Sequence, residues 1–135
     1  MACLDTTILV DLTRRGPNLR NRAFQKVQEL LARGEFLATT RFNVAELYVG
    51  VERADDPDRE GQLVEEALEG LAILDFDDRA ARFFGRITAH LQQIGQSAGD
   101  MDVLIAATCM AAGHGLITRN PAHFQNIPEI AVETY

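Results

Sequence analysis

The sequence predicts an α/β fold in which a mainly parallel sheet of five short strands is covered by helices on both faces, a three-layer α/β/α domain. Strand-sized apolar runs alternate with helix-sized amphipathic stretches along the whole chain, the pattern of parallel strands joined by crossover helices. The 135 residues suit one domain, residues 1–135, with one sizeable core. From Val103 to Gly113 there is no charged residue, and the apolar side chains fall on every side of a helical wheel, which marks a buried helix.

Ala2 to Leu4 reads as the first strand, stopping at Asp5-Thr6-Thr7. A helix through Ile8, Leu9, Val10 and Leu12 follows and ends at Gly16-Pro17. Asn18 opens the next helix, whose apolar face is Phe24, Val27, Leu30 and Leu31 and which Gly34 closes. Phe36 to Thr39 is the second strand, and Thr40 caps a helix running to Arg53. Asp55-Asp56-Pro57 turns into a helix to Leu68 with Leu63, Val64, Ala67 and Leu68 inward. Leu71 to Leu74 is the third strand. Asp77 or Asp78 caps a helix that buries Ala80, Phe83, Phe84, Ile87 and Leu91 and ends at Gly95. After the uncharged helix come a fourth strand, Leu116 to Thr118, a helical turn around Ala122 to Phe124, and a fifth strand, Ile130 to Val132.

Composition narrows the function classes. The 47% hydrophobic and 24% charged residues are an ordinary globular balance. No apolar run is long enough to span a bilayer, and Met1-Ala2-Cys3-Leu4-Asp5 lacks the basic and apolar regions of a secretory signal, so a cytoplasmic protein is expected. Cys3 and Cys109 lie in apolar stretches and read as reduced core residues. A net charge of −7 argues against a non-specific DNA coat. Arg14, Arg15, Arg20 and Arg22 nevertheless cluster, as a solvated surface or as a phosphate-contacting rim.

Acids recur where the topology would gather them. In open parallel sheets the ligand site lies beyond the carboxyl ends of the strands, at the point where strand order reverses. Asp5 and Thr6 follow strand one, Glu46 lies early in the helix after strand two, and Thr118 and Asn120 follow strand four. Asp100 and Asp102 open the uncharged helix, where the helix dipole favours negative charge; a capping role alone would explain them there. Glu46 stands in an apolar segment with Asn43 and Gly50 on its own face, and Gly50 suggests a close approach. Several carboxylates converging on one edge could not all stay ionised without cations. Oxygen-only ligands without His or Cys suit Mg²⁺ or Mn²⁺. His90, His114 and His123 read as structural or surface histidines, with His123 near enough to Asn120 to touch a substrate.

The order and spacing of these residues resemble the PIN-domain ribonucleases of the VapC toxin type, the toxic half of toxin–antitoxin pairs. The matching stretches are Leu4-Asp5-Thr6-Thr7-Ile8-Leu9, Val44-Ala45-Glu46-Leu47-Tyr48-Val49-Gly50, Gly99-Asp100-Met101-Asp102 through Thr108, and His114-Gly115-Leu116-Ile117-Thr118-Arg119-Asn120. The resemblance implies a metal-dependent endoribonuclease with Asp5, Glu46 and Asp102 as core metal ligands and Asp100 as an additional acid. The family's fourth acidic position falls near Asn120, which carries no charge; with Thr118 it is expected to orient the attacking water, and Thr6 to help position substrate. The resemblance also implies Mg²⁺ (or Mn²⁺) as cofactor, structured RNA such as transfer RNA as substrate, a small inhibitory antitoxin, and a homodimer. The helices from Asn18 to Arg33 and from Thr40 to Arg53 are expected to frame the antitoxin groove, with Phe36, Phe42, Leu47, Tyr48 and Val51 supplying its apolar wall. A PIN-fold RNA-binding module and a DNA-directed PIN nuclease are the alternatives. A phospho-receiver domain is disfavoured, because the one lysine, Lys26, lies in an early helix.

Overall fold

The computed structural model describes residues 1–135. Five strands, β1 (Ala2–Leu4), β2 (Leu37–Thr40), β3 (Ala72–Leu74), β4 (Gly115–Ile117) and β5 (Val132–Glu133), form one sheet in the order β3-β2-β1-β4-β5. Every pairing is parallel, with Cys3 opposite both Ala38 and Leu116. The chain builds β1, β2 and β3 outward in one direction and then returns to β4 and β5 on the other side of β1. The reversal falls between β1 and β4, so the predicted edge for a site is the carboxyl end of β1.

Six α-helices connect the strands: α1 (Thr6–Thr13), α2 (Pro17–Ala32), α3 (Arg41–Arg53), α4 (Pro57–Leu68), α5 (Asp78–Gln93) and α6 (Asp100–Ala111), with a 3₁₀ turn at Pro121–Phe124. Strand side chains alternate between faces, and β1 shows the result. Cys3 enters the core beneath α5 and α6, with Ile87, Leu91, Ile105, Ala106 and Leu116. Ala2 and Leu4 enter the core on the opposite face, with Ile8, Leu9, Leu30, Leu47, Val64 and Ile117. Both layers therefore meet at the strand that ends in Asp5. α6 is buried on nearly every side, as its uncharged sequence predicts. The two cysteines are free and buried.

Local chemistry sets the ends of the elements. Thr40 caps α3 through a reciprocal capping box with Asn43. Asp77, rather than Asp78, caps α5 by accepting from the Ala80 amide. At the end of α2, Gly34 takes φ +75° and the Glu35 amide turns back to the Leu30 carbonyl, the geometry that glycine makes inexpensive.

Three expectations are corrected. β5 is Val132–Glu133 instead of Ile130 to Val132, because its register is fixed by Leu116 opposite Val132 and Ile117 opposite Glu133. β2 begins at Leu37, leaving the Phe36 side chain 76% exposed. Gly50 serves no close approach within the chain: a Cβ there would meet nothing within 4 Å.

Candidate active site

Asp5 is the N-cap residue of α1, yet its side chain makes no cap bond. Its carboxylate, 6% exposed, meets side-chain donors from α1 itself, from α3 and from the end of β4. The Thr118 hydroxyl donates to Oδ2 at 2.7 Å, and the Thr7 hydroxyl lies 3.2 Å from the same oxygen. The Asn43 side-chain amide donates to Oδ1 at 3.0 Å. The Asp5 backbone amide donates to the Ile117 carbonyl, continuing the β1–β4 pairing to the edge of the sheet.

Glu46 is half-buried on α3, and its Oε1 accepts a 2.7 Å hydrogen bond from the Thr6 hydroxyl. One turn earlier on the same helix face is Asn43, fully buried. Asp102 lies in the first turn of α6, whose N-cap is Gly99, and faces the Nδ1 atom of exposed His123 at 3.6 Å. Burial pushes the Glu46 carboxyl above its ordinary range; the Thr6 bond opposes this, and the charges of Asp5 and Asp102 add to it. Burial likewise raises Asp102, with His123 opposing and Asp5 reinforcing. Asp5, Glu46 and Asp102, from three separate segments, thus share one poorly solvated space.

The other predicted positions sort around them. Thr118 is buried against Asp5, and the exposed Asn120 reaches the site through its backbone amide, which donates to the Thr118 hydroxyl at 3.1 Å. Asp100 is exposed, and its charge contributes to the shift of neither Glu46 nor Asp102. His114 bonds the Ala112 carbonyl through Nδ1, a local structural role. As the side chains lie, no three Asp, Glu, His or Cys groups form a ready-made metal cage. Thr118, Thr7 and Asn43 bond Asp5, and Thr6 bonds Glu46. The donor set itself, carboxylates with neutral hydroxyl and amide supports, suits a hard cation.

Two groups of residues were not singled out by the sequence. Asn43 and Thr7 bind the acids directly; Asn43 was visible only as the i−3 neighbour of Glu46. The second group centres on Asp11, fully buried on α1. Its Oδ2 accepts from the Tyr135 hydroxyl at 2.8 Å and lies 3.2 Å from Arg119 Nε, while Arg14 Nε stands 3.2 Å from Oδ1. The signal for Asp11 was an acid interrupting the apolar run Ile8-Leu9-Val10.

The raised carboxyls yield a prediction with a definite sign. A carboxyl held above its unfolded value contributes stability below the unfolded range and loses it as pH rises through the folded value. At pH 7 in EDTA, Glu46→Gln is therefore expected to raise the melting temperature, with the gain closing as pH falls through the carboxyl range. A melting curve showing Glu46→Gln destabilised at pH 7 would contradict the shared-site electrostatics.

The PIN domain family model matches residues 2–130. Ribonuclease VapC2 of Haemophilus influenzae is 30% identical over 98% of this chain and 96% of its own. The tRNA(fMet)-specific endonuclease VapC of Salmonella typhimurium is 31% identical over 73% of this chain and 75% of its own. Among solved structures, VapBC2 from Rickettsia felis bound to a promoter DNA fragment superposes with a TM-score of 0.88 at 28% identity, covering 99% of this chain and 98% of the other. The all-parallel order of the sheet, the acids at its reversal point and these likenesses agree: the chain belongs to the PIN-domain family, among the VapC ribonucleases.

Proposed function

We propose that this chain is a Mg²⁺- or Mn²⁺-dependent endoribonuclease acting as the toxin of a type II toxin–antitoxin pair in the cytoplasm. The observation that carries the reading is the hydrogen-bond network at the sheet's reversal point, in which Asn43 and Thr6 join the Asp5 and Glu46 carboxylates. Asp5, Glu46 and Asp102 would hold the cation, with Asp100 close enough in sequence to assist at its edge. Bound there, the ion would activate water and neutralise charge on the scissile phosphate. Thr118 and Thr7 fix the Asp5 carboxylate, and Thr6 fixes Glu46 and borders the substrate. The Asn120 side-chain amide would orient the attacking water. It cannot exchange a proton at neutral pH, so proton removal falls to the carboxylates. A related Salmonella enzyme bears a name specifying tRNA(fMet), and we extend that substrate class, structured RNA, to this chain. The direct test is incubation with total transfer RNA and with DNA of matched length, in Mg²⁺ or Mn²⁺ and in EDTA. Cleavage of RNA that stops in EDTA is expected; binding without cleavage in any metal would mark a binding module.

The partner reading keeps its chemistry but moves its place. α2 packs on α1, and α3 packs on α4. Leu47 and Val51 belong to the domain's own core, and Phe42 stacks edge-on against Phe76 at 5.7 Å. The open cleft, about 840 Å³, runs instead between α2 and α4 over the end of α1. Phe24 lines it, 56% exposed, with Val27 and Leu63, and Arg14, Arg15, Arg20 and Arg59 stand at its rim. Arg22 lies outside it, donating to the Tyr135 carbonyl. Asp55, Asp56, Glu60 and Glu66 line the cleft too, and we place in it the amphipathic segment of a small antitoxin, its apolar face against Phe24 and its flanks carrying both charges. Phe24→Glu is expected to weaken that complex at least tenfold in a pull-down titration while RNA cleavage persists; unchanged affinity would move the docking site elsewhere. A homodimer is proposed on the same family grounds, to be read by light scattering.

A further inference from the structure

Asn43 occupies the centre of the hydrogen bonds that join the acids. It is completely buried, on the third residue of α3. Its Oδ1 faces backward, accepting from the Thr40 backbone amide at 3.2 Å and from the Thr40 hydroxyl at 2.7 Å. Its Nδ2 faces forward, donating at 3.0 Å to Asp5 Oδ1 and at 3.0 Å to Thr6 Oγ1. Thr6 then donates its own hydrogen to Glu46 at 2.7 Å. Each hydrogen is accounted for: the amide has two, one for each acceptor, and the Thr6 hydroxyl accepts one and passes one on. A hydroxyl that accepts a hydrogen bond becomes a better donor, so the relay is cooperative.

Resting on the proposed ribonuclease reading, we infer that Asn43 is a positioning residue for the reaction, the amide that fixes the Asp5 carboxylate directly and the Glu46 carboxylate through Thr6. Asp5 precedes α1 and Glu46 lies on α3, and Asn43 is the α3 side chain that bonds both Asp5 and the Thr6 hydroxyl that holds Glu46. A capping residue needs only an acceptor at this position, which aspartate and glutamate supply equally well. The site needs the donor end, and asparagine supplies both in one side chain. The polarity of the amide is also fixed, since reversing it would set a donor against the Thr40 amide and an acceptor against a carboxylate.

Asn43→Asp separates the two roles. The carboxylate keeps an acceptor for Thr40 and for the cap, and it loses both forward donors. The expected result is a kcat lower by about a hundredfold, the scale of a reacting group misplaced by about 1 Å, with KM for RNA changed less than about threefold. Asp77→Ala removes the cap bond of α5, far from the acids, and serves as the stability control; its kcat should stay within about threefold of the parent. A measurement independent of cleavage accompanies these: the side-chain carboxyl ¹³C signals of Asp5 and Glu46 should both move in Asn43→Asp and stay in place in Asp77→Ala. Unmoved carboxyl signals overturn the assignment, as does parental kcat in Asn43→Asp, or an equal loss in Asp77→Ala. If the parent protein cleaves no RNA, the ribonuclease reading fails by itself, and the carboxyl signals still decide what Asn43 does.

Discussion

Asp5→Asn and Asp102→Asn are each expected to lower RNA cleavage by more than about a hundredfold at saturating Mg²⁺, since on the proposed reading both hold the cation, and losing even an outer partner of a metal ligand typically costs about 10–100-fold. Asp5 is the larger case. Its buried carboxylate accepts from Thr118, Thr7 and Asn43, and an asparagine replaces one acceptor oxygen with a donor that must face one of these donors. The charge lost is also one that Glu46 and Asp102 both sense. Asp102→Asn keeps the first turn of α6 and removes an acid whose neighbour is the exposed His123, so its fold is preserved. Raising Mn²⁺ should restore part of the rate in Asp102→Asn by mass action. Single-turnover cleavage across a metal titration measures this, and full activity of Asp102→Asn at ordinary Mg²⁺ would remove that residue from the site.

Asp11→Ala has the largest expected effect on stability. It strips the half-buried Tyr135 hydroxyl of its acceptor and leaves the Arg119 and Arg14 guanidinium groups without their shared carboxylate. Breaking a buried ion pair by removing one partner costs about 3–5 kcal/mol. The lower end applies, because Arg119 keeps about a third of its side chain in solvent. Arg119 Nε and Asp11 Oδ1 also make no aligned hydrogen bond, although the charges are close. A loss of about 3 kcal/mol lowers the melting temperature by roughly 10 °C in a domain of this size. Tyr135→Phe, which removes one hydrogen bond, should cost about 1 kcal/mol. Calorimetry separates the two, and an Asp11→Ala melting point within about 2 °C of the parent would contradict the role given to this cluster.

The architecture was legible because each local signal agreed with the others. Gly34 and Gly95 stop helices where the periodicity stops, Thr40 and Asp77 start them, and the uncharged stretch after Asp102 can only be interior. Asp5, Glu46 and Asp102 were legible because burying an acid next to apolar residues demands a reason. The sequence conceals the neutral supports. Asn43 and Thr7 are ordinary residues for a helix start, and their second role depends on contacts 38 and 111 positions away. The cleft was misplaced for a related reason: Leu47 and Val51 look surplus until α4 folds over them. Phe24, which lines the open cleft, looks like core from its spacing alone.

The pairing of β1 with β4 has a consequence for timing. Asp5 and its Thr118 partner stand 113 positions apart in the chain. The central strand has no neighbour on that side, and its aspartate lacks the Thr118 hydroxyl, until β4 is made and docked. Pairings of such long sequence separation form late and slowly. The acids gathered at that edge therefore reach their final arrangement only with this last long-range pairing.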